Sequence, residues 1–231
     1  MNPSISTVYR ALKNSGNSYK KVSYRNIHAN PEEQLAYLQK IMPIDWRDIV
    51  DVDSMVQTTD DFRKKYGRSQ VGDECVRMQI TIGTKTFAVH AAYSYLGFVH
   101  WKVFDFVVTD EEIMLFLNAL IPKIDLGRTW GLFDNASNQR GLFVMAEVFR
   151  QKYIFCSAYS PWLKPCENGF SKVKRYIQER YVILEYVLDP LRLINEAFTY
   201  YLVGQPPGGL TAMNDFAIYR DSNEFNSYVF A

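Results

Sequence analysis

The chain has 231 residues, 48% of them apolar and 15% aromatic, which suits one large globular domain, or one with a small appendage, and excludes a wholly disordered chain. No run approaches the ~18 apolar residues of a membrane span, and the start MNPSISTVYR lacks the charged-then-apolar layout of a secretory signal, so a soluble, intracellular, non-membrane protein is expected. The 26 Lys and Arg almost balance the 25 Asp and Glu, and the resulting net charge of +1 does not by itself announce a nucleic-acid binder.

The elements follow in chain order. ISTVYRALKN, residues 5–14, places Ile5, Val8 and Leu12 at helical spacing and stops before Gly16, which predicts a short amphipathic helix whose other side holds Thr7, Arg10 and Lys13. Across residues 10–25, Arg10, Lys13, Lys20, Lys21 and Arg25 occur with no acid among them, a basic stretch suited to DNA. NPEEQLAYLQKI, residues 30–41, predicts a second helix with Asn30 as N-cap, Pro31 at its first position, and Leu35, Leu38 and Ile41 on one face. WRDIVDVDSM then predicts a strand ending near Asp53, with acids at alternate positions 51 and 53. VRMQITIG and TFAVHAAYSYLGFVHWKVFDF supply two or three further strands, separated by turns at Gly83 and Gly97.

TDEEIMLFLNALIPKI opens on a capping box, Thr109 with Glu112, and predicts a helix with Ile113, Phe116, Leu117 and Leu120 on its apolar face. A short strand, Trp130 to Phe133, runs into Asp134; GLFVMAEVFRQKY predicts a helix, IFCSAYSP a strand, and ENGFSKVKRYIQERY a helix with Phe170, Val173, Ile177 and Tyr181 on one side. LDPLRLINEAFTYYLV predicts a last helix, and the Asn- and aromatic-rich tail after it carries no assignable pattern. Three strands followed by alternating helices and strands argue for a mixed sheet flanked by helices, with sites at strand ends.

The three cysteines, Cys75, Cys156 and Cys166, are odd in number and widely spaced, so neither a disulfide framework nor a zinc site is indicated, and each is expected as a small buried hydrophobe. His28, His90 and His100 are equally scattered, with no convergent set of zinc ligands. Three acids stand where strands end or helices begin: Asp53, Asp134 and Glu167. Clustered carboxylates repel unless a divalent cation sits between them, and hard oxygen ligands suit Mg²⁺ or Mn²⁺. By spacing alone the same acids also read as turn formers or helix-dipole partners, with Asp51, Asp60 and Asp61 competing for the role of Asp53.

FDNASNQRG, followed after one helix and one strand by AYSPWLKPCENGFSKVKRYI, resembles the catalytic domain of the mariner-type DDE transposases and the related bacterial insertion-sequence enzymes. The family's Tyr-Ser-Pro-x-Leu-x-Pro-x-Glu-Asn turn is matched by Tyr159, Ser160, Pro161, Leu163, Pro165, Glu167 and Asn168. IVDVDSM is similar to the first catalytic strand, RKKYGRSQVG to the segment that follows it, and ISTVYRALKNSGNSYKKVSYRN to the recognition helix and linker of a second helix-turn-helix. Three positions depart from the family: Ser54 stands where a second acid is frequent, Lys164 where Asn is usual, and Cys166 where a plain aliphatic residue is common.

The resemblance implies an α/β fold of the RNase H-like class, a mixed five-stranded sheet flanked by helices with a short helical N-terminal preface. Residues 1–45 would be a remnant of the helix-turn-helix DNA-binding region and linker, and 46–231 the catalytic domain; the chain would then be a truncated or domesticated relative, or its gene model begins too late. It implies Asp53, Asp134 and Glu167 as catalytic triad and metal ligands for two Mg²⁺ or Mn²⁺ ions, with Asp53 bridging both, and DNA cleavage and strand joining as the reaction. Asn135 and Asn168 would orient the ligands, and Arg10, Lys13, Lys20, Lys21, Lys172, Lys174 and Arg175 would contact DNA. The implied partners are transposon ends and target DNA, with a homodimer assembled on them, in the nucleus of a eukaryote or the cytoplasm of a bacterium. A second expectation from a different class is a domesticated, non-catalytic DNA- or protein-binding protein.

Overall fold

Strands β1 (Ile49–Thr58), β2 (Thr86–Ser94), β3 (Gly97–Phe104), β4 (Trp130–Phe133) and β5 (Tyr153–Phe155) form one sheet in the order β3-β2-β1-β4-β5. They come from a computed structural model that describes residues 4–17, 27–76, 83–104, 109–134, 149 and 152–204. The first three strands make an antiparallel meander, whereas β4 and β5 run parallel to β1, so the sheet is mixed. Parallel strands need long crossovers, and the connection that leads into β4 contains a helix, Asp110–Leu120.

The helices are α1 (Ile5–Asn14), α2 (Pro31–Ile41), α3 (Asp110–Leu120), α4 (Pro165–Arg180), α5 (Leu184–Leu188) and α6 (Pro190–Tyr200). Their starts follow the sequence signals. The Asn30 side chain accepts from Glu32 N at 2.9 Å, and Thr109 and Glu112 form the reciprocal capping box at α3. The alternation of β1 sorts its side chains to two faces. Val50 and Val52 pack with Phe116, Leu117 and Leu120 of α3, while Ile49 and Met55 join a larger core with Phe170, Val173 and Ile177 of α4 and Leu193 and Phe198 of α6. Asp51 and Asp53 share the second face and therefore point toward α4.

Four expectations are corrected. β1 continues past Asp53 to Thr58, because β2 pairs with it as far as Thr58↔Thr86, whereas the parallel pairing with β4 stops at Val52↔Phe133. Asp53 thus stands where one neighbouring strand ends, not where its own does. β5 ends at Phe155: Cys156 N still donates to Phe133 O at 2.8 Å, and the residues after it form the turn described below. The expected last helix starts at Pro190 and is preceded by a separate short helix, α5. Cys75 is exposed, while Cys156 and Cys166 are buried as expected. Residues 77–82, most of the expected helix of 141–153, and the tail from 205 lie outside the described residues.

Although α2 lies in the first 45 residues, its Tyr37, Leu38 and Ile41 are part of the main core. α1 buries none of its residues, so its stripe of Ile5, Val8 and Leu12 is exposed among the described residues. No helix among the described residues is long and apolar enough to cross a membrane. At the sheet edge, Gly97 adopts φ +123, and an added Cβ would lie 2.5 Å from Tyr201 O; the segment directly after α6 docks there, with Phe98 N donating to Tyr201 O at 2.9 Å.

α4 lies tightly against the sheet at Gly169, where an added Cβ would stand 3.0 Å from ring atoms of both Phe98 and Tyr93. Both rings are fully buried and have no room to retreat. Gly169→Val is expected to destabilise the fold by about 2–3 kcal/mol through overpacking, read as a lower urea midpoint with an unchanged slope.

Candidate active site

The site is built around the turn that joins β5 to α4. After Phe155 the chain buries Cys156 and Ser157, reverses through Tyr159 in the left-handed region at φ 55, makes a 3-10 turn over Pro161–Leu163 and passes through an extended Lys164 into α4. Pro165 occupies the first helical position, where its missing N–H costs nothing. No side chain of the turn caps the helix. Instead Cys166 N donates to Asp51 Oδ2 on β1 at 2.9 Å, so a carboxylate from the sheet satisfies a free donor of the helix N-terminus and complements its dipole. α2 holds the turn from the other side: Gln34 Nε2 donates to Ser160 Oγ at 2.9 Å, and the Tyr37 hydroxyl donates to Leu163 O at 3.1 Å.

These clamps fix the positions of the charges. Lys164 is buried, and its Nζ lies 2.8 Å from Asp53 Oδ2 and 3.7 Å from Asp51 Oδ1. Burial alone would lower the lysine's proton affinity, but the carboxylates of Asp51 and Asp53 more than reverse this and hold it well above its usual range. Asp51 is fully buried, and desolvation pushes its carboxyl up to about 7, against the pull of Lys164. Both partners therefore bind protons more tightly than in water. The geometry explains this: the ammonium sits on Asp53, closer to the surface, and leaves Asp51 to carry the cost of burial.

Glu167 is the third residue of α4 and is half-buried; its carboxyl is raised first by desolvation and then by the charge of Asp53, with Asp134 adding to the same effect and Lys164 and Lys174 opposing it. Asp134 follows β4, two residues after Leu132, which packs in the core on the α4 side. Asp53 and Asp134 thus come one residue beyond the last rung of the β1–β4 pairing, on adjacent strands. Asp60 and Asp61 lie beyond the end of β1, where Asp60 pairs with Arg63 at 2.9 Å and Asp61 Oδ2 accepts from the backbone and hydroxyl of Thr58. They take no part in the site. Ser54 hydrogen-bonds the Nδ1 of His90 on the opposite face of β1, so the position of the family's second acid is turned away from Asp53.

Of the other expected residues, Asn168 is exposed on α4, and Lys174 is close enough to bias Glu167. Arg175 is exposed and pairs with Glu179 at 3.3 Å; Lys172 is half-buried on the same helix. Arg10 and Lys13 are exposed on α1, while Lys20, Lys21 and Asn135 lie outside the described residues. The buried thiols are poor ligands or nucleophiles, since desolvation pushes Cys156 up to about 12 and Cys166 well above the ordinary thiol range. The residue that sequence reasoning misjudged is Asp51, weighed only as a rival to Asp53. The available signal was its alternation with Asp53 among the apolar Ile49, Val50 and Val52.

A divalent cation is tested against this arrangement by its donors. Asp51, Asp53, Asp134 and Glu167 offer only hard oxygens, and Asp51 Oδ1 is buried without a hydrogen-bond partner, which fits Mg²⁺ or Mn²⁺ in chemistry. Among the described residues, no three carboxylate, thiol or imidazole groups converge closely enough to hold an ion. The cation already within the cluster is the Lys164 ammonium.

No family model and no curated protein matches the sequence. Solved structures do. The Mos1 mariner paired end complex with Mn superposes with a TM-score of 0.68 at 16% identity, covering 96% of this chain and 69% of that chain. The Mos1 strand transfer complex gives 0.62 at 16% identity, with 95% and 68% covered. The catalytic domain of Mos1 mariner transposase gives 0.56 at 15% identity, with 86% and 92% covered. The chain therefore has the RNase H-like fold of a mariner-type catalytic domain.

The raised carboxyl of Asp51 has a consequence for stability. It titrates near 7 in the folded state against 3.8 when unperturbed, so it favours folding below about pH 4, and that contribution is lost as the pH rises through 7. Asp51→Asn keeps an acceptor for Cys166 N and has no proton to lose. Relative to the parent, its unfolding free energy is expected to rise between about pH 4 and 7, by on the order of 1–4 kcal/mol, in urea titrations across that window; a constant difference would show that Asp51 titrates normally.

Proposed function

We propose that this chain is the catalytic domain of a DNA-cutting and DNA-joining enzyme of the mariner-transposase type. The observation that supports the reading is the placement of three acids on that fold: Asp53 and Asp134 come one residue beyond the last rung shared by β1 and β4, and Glu167 directly follows Cys166, whose N–H at the start of α4 is tied to Asp51. Asp53, Asp134 and Glu167 would hold Mg²⁺ or Mn²⁺, two ions by the family resemblance, and the similar Mos1 structures were solved with Mn and with Mg. When bound, such ions supply positive charge at the scissile phosphate and an activated water or 3′-hydroxyl as nucleophile.

The chain's own groups have complementary tasks. Asp51 fixes the direction in which α4 presents Glu167. Asn135 and Asn168, beside two of the acids, would orient them. Lys172, Lys174 and Arg175 on α4, with Arg10, Lys13, Lys20 and Lys21 near the N-terminus, would bind DNA phosphates. Transposon-end and target DNA are the partners that this reading requires, with a homodimer assembled on the DNA; the similar structures include a Mos1 paired end complex and a Mos1 strand transfer complex. It would act in the nucleus or the bacterial cytoplasm, wherever the DNA resides.

A second reading, a domesticated protein that binds DNA or a partner without cutting, is favoured by one observation. Asp53 is engaged by Lys164, and no three described acids converge. Nicking of supercoiled DNA by the purified protein in Mg²⁺ or Mn²⁺ separates the two. Under the catalytic reading the parent nicks, EDTA abolishes the activity, and Asp134→Ala and Glu167→Gln reduce it to background. Equal nicking by parent and variants would assign the activity to a contaminant, and retention of DNA in a gel-shift assay without nicking in either metal would favour the binding protein.

A further inference from the structure

We propose that Lys164 is a built-in counter-cation of the acid cluster, taking on Asp53 the place of one divalent ion, so that the site loads a single metal ion rather than two. The inference rests on the reading of Asp53, Asp134 and Glu167 as metal ligands. Its basis is position. The lysine side chain is only 3% exposed, and its Nζ lies 2.8 Å from Asp53 Oδ2 and 3.7 Å from Asp51 Oδ1. It is aimed at both carboxylates yet makes no well-aligned hydrogen bond to either, which is how a point charge, not a directed donor, occupies a site.

The ammonium has no easy way out. Its backbone is extended at φ −118, ψ 119, Lys164 N donates to Pro161 O at 3.1 Å, and the residues before it are fastened to α2 through Ser160 and Leu163. Moving the charge to water would leave Asp51, wholly buried, facing Asp53 with no cation between them. A divalent ion arriving at Asp53 from the Asp134 and Glu167 side therefore meets a carboxylate whose Oδ2 faces the ammonium and whose Oδ1 accepts from Ser54 N at 2.7 Å. Three carboxylates less the unit carried by Lys164 leave the charge that one divalent ion balances. A second would need the space that the ammonium fills.

Mn²⁺ binding tests this without reference to activity, by calorimetry and by electron paramagnetic resonance of free Mn²⁺. The parent is expected to bind one ion per chain, and Lys164→Gln to bind two, or the same one more tightly by on the order of tenfold or more, since a unit positive charge beside the ligands is gone. Lys164→Arg, which keeps the charge, is expected to match the parent. Should Lys164→Gln not fold, acylation of lysines read by mass spectrometry decides in the unaltered protein: Lys164 is expected to stay protected both without and with saturating Mn²⁺. Labelling that rises with Mn²⁺ would mean that the ion expels the ammonium, and would overturn the proposal. Two ions in the parent, or equal stoichiometry and affinity in parent and Lys164→Gln, would overturn it while leaving the metal-site reading intact. No Mn²⁺ bound by either protein would refute both.

Discussion

A buried carboxylate on the central strand governs this site. Asp51 accepts from Cys166 N at the start of α4 and faces the ammonium of Lys164, and through these two contacts the sheet dictates where a helix from more than a hundred residues later begins. An N-terminal donor without a partner would cost about 1–3 kcal/mol when buried, so α4 cannot slide along the sheet without loss. Glu167 follows Cys166 directly and inherits its placement. The packing agrees with the hydrogen bond. Gly169 lets α4 press against Tyr93 and Phe98 almost one turn after Cys166, and Phe170, Val173 and Ile177 carry the contact down the helix.

The electrostatics of the cluster follow from that constraint. Two acids at alternate positions of one strand necessarily face the same way, and the fold sends both toward α4. Burying them together is unfavourable unless a cation joins them. Lys164 is that cation, and it is there because the turn that carries it is clamped against α2. The raised proton affinities of Asp51, Glu167 and Lys164 are one phenomenon: desolvation disfavours the acids' charges, and the acids in turn hold the lysine's proton. Glu167 is half-buried and Asp134 exposed, so both lie nearer to solvent than Asp51.

Much of the architecture was legible because local signals and tertiary structure agree. The Asn30 cap, the Thr109–Glu112 box and the apolar face of α4 each specify an element and each is found where the pattern places it. The extent of β1 was not legible, since a strand's length depends on its partners: β2 extends it to Thr58, whereas β4 stops at Phe133. Asp53, Asp134 and Glu167 stood out as acids at element boundaries. The partners of Asp51 and Lys164 could not be read, because 113 positions separate the two along the chain and no periodicity reports a contact across such a distance. Lys164 was visible only as a departure from a motif, and its meaning came from the distance to Asp53.

The N-terminal segment acquires a different weight on the same grounds. By sequence it is a preface to the sheet; in the fold α2 supplies Tyr37, Leu38 and Ile41 to the core and holds the site turn at two points, Ser160 and Leu163. Both contacts lie within four residues of Lys164, and both are buried, so they are not exchanged for water without cost. The position of the counter-cation on Asp53 therefore depends on a helix that contains none of the site's acids. The buried acids and their cation are one construction in which α2 sets Lys164, β1 sets Asp51 and Asp53 and anchors α4, and α4 sets Glu167.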